Sequence, residues 1–320
     1  MKNLLKILLL TSLCIACHSD LEDEKIPHGM TKASIGFKAA VDNTRAMVEN
    51  DTPIKDNGFS VWGGYEGNAP LTVFDGRKVT FNSTNNEWEY TEEEYWTYNI
   101  YNFHAVYPSP EVGAYTSATI SNGIFTIEGF DATKEYDLLY ANQFGIDGSY
   151  PPSSVDFQFK HLLTKVSLSL TLHEDNKNDV ITVTGAYLSG LYTKGSYTNG
   201  PNTTESWVNL DNSSYVGKET NTRLAYGTDQ PFIENHLMIP QTFSGEHTVY
   251  LVVQYTFTQQ GSSTTSNKSL VVPLPYSTQW TINTSIAYKA TVHVDHNIEF
   301  AIPSVEEWGS EQAGGTIIIK

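Results

Sequence analysis

The sharpest chemical feature of this 320-residue chain is a thiol. Cys17 follows Ala16 at the end of a leader in which Lys2 and Lys6 accompany a mostly apolar run, residues 4–13. A run this short is a signal-peptide core and not a membrane span. A small residue directly before a cysteine resembles the bacterial lipobox, in which the cysteine is lipidated and becomes the first residue of the mature protein. Cys14, three residues before the acceptor, is an unusual occupant of that motif. Cys17 is therefore expected to carry lipid, palmitate included. The alternative is an ordinary secretory signal that ends near a cysteine.

Other groupings offer weaker chemistry. Glu92, Glu93 and Glu94 sit beside Tyr90, Tyr95, Trp96 and Tyr98. Paired carboxylates next to aromatic platforms suit a glycoside site, and they equally suit a solvated face with aromatics packed beneath. The run 175–179 (Asp-Asn-Lys-Asn-Asp) lacks the glycine and distal glutamate of an EF-hand loop and reads as a hairpin turn. His293 and His296 lie in a strand-like segment, where a three-residue step points the rings to opposite faces. No shared metal is expected there. His161 has no acid or nucleophile at motif spacing and reads as a buried or interface histidine. Gly-x-Ser-x-Gly, Walker-type and His-Glu-x-x-His patterns do not occur. The expectation is a protein that is not an enzyme, with no catalytic residue, cofactor or metal.

Composition narrows the class. Both cysteines, Cys14 and Cys17, lie in the leader, so the mature fold has no disulfide and must rely on packing. The formal charge is −17, and loss of Lys2 and Lys6 leaves 17 basic against 36 acidic residues, −19. Phosphate binding needs a basic face, so nucleic acid is not an expected partner. No later segment approaches the apolar length of a membrane helix, which makes the lipid the expected attachment to the outer membrane.

The elements that must position these residues read as strands. Residues 34–39, 59–62, 124–127, 155–159 and 166–172 alternate apolar and polar with period two, and residues 248–257 and 290–294 continue the theme. Turn signals at 56–58, 121–123, 198–201 and 259–263 separate them. Helix is expected only as a turn or two near 131–135 or 303–308. The continuous apolar-rich stretch 157–166 reads as one strand passing between two domains. The expected fold class is all-β, two tandem β-sandwich domains of transthyretin-like or Greek-key type. The expected divisions are a signal peptide (1–17), a tether (18–33), an N-terminal sandwich (34–160) and a C-terminal sandwich (161–320), packed firmly end to end.

Four stretches together resemble the Bacteroidetes fimbrillin family, the subunits of type V pili. They are Phe103-His104-Ala105-Val106-Tyr107-Pro108, and Tyr136-Asp137-Leu138-Leu139-Tyr140-Ala141 followed by the 155–166 stretch with Phe157, Phe159, His161 and Lys165. The others are Leu237-Met238-Ile239-Pro240-Gln241, and Trp280 with Tyr288 and the closing Val305-Glu306-Glu307-Trp308. Each also has a plain structural role. Pro108 ends a strand, the aromatics fill a core, and Gln241 satisfies local backbone.

The resemblance implies a mechanism. Family subunits travel as lipoproteins to the outer membrane, and an arginine-specific protease cuts in the loop after the first strand. That strand leaves with the lipid, and a neighbouring subunit's strand takes its place. Here the first strand is 34–40 and the implied cut falls between Arg45 and Ala46. The implied donor is the tail Thr316, Ile317, Ile318, Ile319 and Lys320 after the hinge Gly314-Gly315, unless that tail closes the last sheet of its own chain. The expected partners are other pilus subunits and host or bacterial surface ligands, on the outer membrane and in the fimbrium. The competing expectation is a glycan-binding surface lipoprotein that does not polymerise, using Tyr192, Tyr197, Trp207 and Tyr215 as loop platforms.

Overall fold

Alternation becomes strand wherever every second side chain can reach a core. The computed structural model describes residues 32–41, 52–65, 71–211, 214–244, 247–275, 279–294 and 298–308, and the folded unit begins at Ser34. The chain opens with β1 (Phe37–Val41), a short helix α1 (Thr52–Asn57), β2 (Phe59–Tyr65), β3 (Leu71–Asn82), β4 (Glu87–Glu89) and β5 (Ile100–Tyr107). β6 (Ser117–Ser121), β7 (Ile124–Asp131), β8 (Leu139–Asp147), β9 (Val155–His161) and β10 (Thr164–Leu172) follow. β11 (Val180–Leu191), β12 (Lys194–Gly200), β13 (Thr203–Asp211), β14 (Ser214–Arg223) and β15 (Gln230–Met238) come next. The last strands are β16 (Tyr250–Thr258), β17 (Thr265–Pro273), β18 (Thr284–Val292), β19 (Ile298–Phe300) and β20 (Ser304–Glu307). The fold is all-β, with sheets stacked in sandwich-like layers.

A seven-stranded sheet runs β1-β9-β8-β5-β2-β3-β4. It curls until its ends approach, so that Phe37 of β1 meets Phe74 of β3 edge-on with ring centroids 5.3 Å apart. Phe59, Phe103, Phe157 and Phe159 fill the inside of the curl, and Ile54 of α1 is buried with them. Trp62, Val106 and Tyr140 point from the other face into Phe125, Ile127 and Phe130 of β7 and Tyr197 of β12. Those belong to the sheet β13-β12-β7-β6, which takes strands from both sides of residue 160. The remaining layers, β15-β10-β18-β19 and β14-β11-β16-β17, enclose a third core. There Val166, Leu168, Leu170 and Leu172 of β10 cluster with Ile181, Val183, Leu251 and Val253.

Local sequence explains the boundaries. Every second residue of β10 is buried, as its alternation requires. Asn122 and Gly123 both have positive φ (50° and 74°), the primed-turn geometry that joins β6 to β7. Pro108 follows β5 through a cis peptide, and no strand hydrogen bond is possible from its nitrogen.

Three expectations need correction. The 157–166 stretch is two strands, because Leu162 and Leu163 are both fully buried between β9 and β10 and break the alternation. Residues 304–307 form β20 and not a helical turn, since β18 offers them a free edge. The run at 175–179 is no hairpin: it carries the chain from β10 in one sheet to β11 in the facing one. The 131–135 segment does form a 3-10 turn, capped by Asp131 accepting from the Thr133 amide.

Candidate functional site

β1 is held differently from the strands around it. It lies at the end of the seven-stranded sheet, with β9 as its one strand neighbour among the described residues, and runs parallel to it from Phe37↔Val155 to Val41↔Phe159. Ile35, Phe37 and Val41 are no more than 6 % exposed, Ala39 packs on the same cluster, and Lys38 faces solvent. The Phe37 ring sits 5.5 Å from Tyr90, 6.1 Å from Phe103 and 5.6 Å from Phe157, nearly parallel to the last. Burying such a ring stabilises by about 1.5–3 kcal/mol, and each well-placed aromatic pair adds about 0.5–1.5 kcal/mol.

A separate segment closes over the lead-in to β1. Ser34 bridges Tyr95, the Ile35 amide donates to the Glu94 carbonyl at 2.8 Å, and the Tyr90 hydroxyl donates to the Ile35 carbonyl at 2.7 Å. Burial raises the Tyr90 pKa, which keeps the phenol a donor. Arg77 steadies this lid. Its guanidinium lies over Phe74 and Tyr90, at 5.1 and 5.9 Å from the ring centroids. It also donates to the Glu92 carbonyl and to the Glu94 carboxylate at 2.7 and 2.9 Å.

The acidic triplet is thereby accounted for. Glu94 pairs with Arg77, Glu93 accepts from the Tyr95 hydroxyl at 2.8 Å, and Trp96 is buried against Tyr101. Tyr90 and Trp96 enclose β1 rather than offering a sugar platform. Sequence reasoning missed Arg77 and Tyr90 as parts of this enclosure, because nothing local ties them to residue 35.

Arg45 and Ala46 lie outside the described residues, as do Cys17 and Thr316, Ile317, Ile318, Ile319 and Lys320. What the described site offers is a hydrogen-bonding edge and a slot. Withdrawal of β1 would unpair the outer edge of β9 and uncover Phe74, Phe103 and Phe157.

At the other terminus, Trp308 follows β20 and stacks on His161, ring centroids 4.0 Å apart and 5° from parallel. Asp137 holds the other side of the imidazole, Oδ2 to Nδ1 2.8 Å, and the Lys165 ammonium lies 5.2 Å over the Trp308 ring. His161 is a buried packing residue, as its context predicts. Gln241 also behaves as read: Oε1 accepts from the Tyr192 amide, and Nε2 donates to the Tyr192 and Ile239 carbonyls.

The proposed loop platforms for a glycan are mostly elsewhere. Tyr197 is fully buried on β12, and Trp207 on β13 packs into the core with its indole N–H donating to the Leu162 carbonyl. Tyr192 packs at a tilt against His247, ring centroids 4.2 Å apart, and Tyr215 lies in β14, its side chain not among those described. Tyr197, Trp207 and Tyr215 are strand residues, whereas Tyr192 lies, as expected, in the connection between β11 and β12.

The fold is shared with known structures. A crystal structure of a fimbrial protein from Bacteroides vulgatus ATCC 8482 superposes with a TM-score of 0.61 at 18% identity, covering 86% of this chain and 99% of that one. A candidate cell adhesion protein from Bacteroides ovatus ATCC 8483 gives 0.50 at 14% identity, covering 88% and 100%. Another, from Parabacteroides distasonis ATCC 8503, gives 0.50 at 12% identity, covering 88% and 98%. At these identities the likeness concerns the fold. No curated protein sequence matches the chain. The model of the fimbrillin-like family matches residues 44–308, most of the molecule, beginning after β1, and the chain belongs to that family.

Proposed function

We propose that this protein is a cell-surface fimbrial subunit, exported as a lipoprotein through Cys17, cut between Arg45 and Ala46, and assembled when a strand from a neighbouring subunit replaces β1. The observation that carries this reading is the edge position of β1. An interior strand could not leave without tearing two ladders, whereas among the described residues β1 pairs in one ladder, with β9, and its lead-in adds an isolated bridge to Tyr95. Strand addition draws affinity from backbone hydrogen bonds and register from pockets for alternate side chains. Positions 35, 37, 39 and 41 define such pockets. The tail supplies a β-branched run, Thr316 to Ile319, behind Gly314-Gly315. One cut would release lipid, tether and β1 together, so that the sticky edge appears only when a partner is due.

The test is N-terminal sequencing of the protein in fibres taken from the cell surface. A start at Ala46 is expected. Assembled fibres whose subunits still begin at Cys17 would rule out cleavage-triggered exchange.

A further inference from the structure

The ends of β10 and β18 bring together three ligating side chains that are remote in sequence. His173 follows β10 directly, Asp175 lies in the 3-10 turn Glu174–Asn176, and His293 follows β18 directly. β10 and β18 are parallel neighbours in unbroken register from Thr164↔Thr284 to Leu172↔Val292, so the next residues in that register are the two histidines. Two hydrogen bonds stitch the turn to β18. The His173 amide donates to the Val292 carbonyl at 3.0 Å, and the Val294 amide donates to Asn176 Oδ1 at 3.0 Å. Asn176 Nδ2 donates in turn to Asp179 at 2.9 Å, which orients the amide. The imidazoles stack with centroids 4.2 Å apart. Asp175 Oδ2 lies 3.5 Å from His173 Nδ1 and 3.4 Å from His293 Nε2, and one ligand atom from each residue falls within 4.8 Å of the others.

We propose that His173, Asp175 and His293 form a binding site for a divalent transition cation of the zinc type. Both N···O distances exceed the length of a charge-assisted hydrogen bond, about 2.7–2.9 Å. They match instead the edge of a tetrahedron with metal–ligand bonds of about 2.0–2.1 Å, which is roughly 3.3–3.4 Å. Two imidazoles and one carboxylate suit zinc, whereas calcium takes about six or more oxygens. All three side chains reach solvent, so water completes the coordination. Binding asks for small moves. The rings, 13° from parallel, turn about χ2, a broad torsion, and His173 Nδ1 gives up the bond it accepts from the Asp175 amide at 3.2 Å. The backbone stitches are independent of these moves. The ion would tie the turn to β18 at one end of the sandwich.

The experiment titrates Zn2+ into the purified full chain, by calorimetry and by competition with a chromophoric chelator. One saturable equivalent is expected, with a rise in Tm that a chelator reverses, and Co2+ in its place should show the visible ligand-field bands of a four-coordinate site. His293→Gln and the exposed Asp175→Asn should each weaken binding about tenfold or more, and Asp175→Asn should do so while leaving the metal-free Tm unchanged. Failure to bind, or binding equally tight in Asp175→Asn, overturns the assignment.

Discussion

Two sheet edges in this molecule are closed in opposite ways. At the edge of β9 a single strand, β1, together with its lead-in, sends Ile35, Phe37 and Val41 deep into an aromatic core. At the edge of β18 the work is divided: β20 pairs with residues 284–287 and β19 with residues 290–292. β20 is shallow, with Ser304, Val305 and Glu307 exposed, and its firm hold is the Trp308 ring on His161 just beyond it. The two edges teach different lessons about release. Losing β1 would open a core. Losing β20 bares chiefly backbone, and turns on one anchoring ring.

The largest effect should come from the deep edge. Phe37→Ala removes a ring that touches four aromatic neighbours, and should cost about 3–5 kcal/mol in urea unfolding. A loss under about 1 kcal/mol would mean that β1 is not integral, and the contrast would collapse. Trp308→Ala should cost less, about 2 kcal/mol, because the ring anchors a shallow strand. If it costs more than Phe37→Ala, the C-terminal edge is the better-locked one.

Much of this contrast was legible in the sequence, and the reason is periodicity. The alternation at 34–39 marked a one-faced strand, and that at 166–172 the clearest strand of all; the second lies where it was expected, and the first, expected over 34–40, runs from Phe37 to Val41 with Ile35 buried in its lead-in. What periodicity cannot give is partnership. Nothing around Arg77 says that it clamps Tyr90 over Ile35, and nothing around His293 points to His173, because parallel pairing joins segments by register across a long connection. Leu162-Leu163 misled for a related reason: two buried residues in a row look like a strand running on, when they mark the chain leaving one sheet for another. Helix α1 was missed because six residues closed by Gly58 at φ 73° read as a turn.

Acid should separate the two faces of the seven-stranded sheet. His104 lies on the face away from β1, stacked on Phe125 at 4.6 Å, with Nδ1 bonded to the Tyr140 hydroxyl at 2.7 Å. Burial pushes its pKa down to about 3. The unfolded chain takes up this proton near the usual histidine value of about 6.5 while the native state refuses it. Stability is therefore whole above that value and falls as pH drops toward 3, by about 2 kcal/mol at pH 5. Burial lowers His236 and His247 in the same direction, so the measurement is the pH 7 to pH 5 difference in the parent against His104→Phe. The variant should lose most of the His104 share. Phe37→Ala, on the apolar face, should keep it.

The smallest effect sharpens the deep edge itself. Arg77 is partly exposed, and its pair with Glu94 is screened, so the ion pair alone is worth about 0–1 kcal/mol. Its planar contact with Phe74 and Tyr90 adds a comparable amount. Arg77→Lys keeps the charge but loses the fork and the stacking, and should cost about 1 kcal/mol. The more telling readout is hydrogen exchange at the Ile35 amide, which bonds to the Glu94 carbonyl inside the segment Arg77 steadies. Exchange there should quicken in the variant while the β10 amides stay protected. Equal quickening in both places would mean that Arg77 supports the whole fold, and that the lid over β1 has no stability of its own.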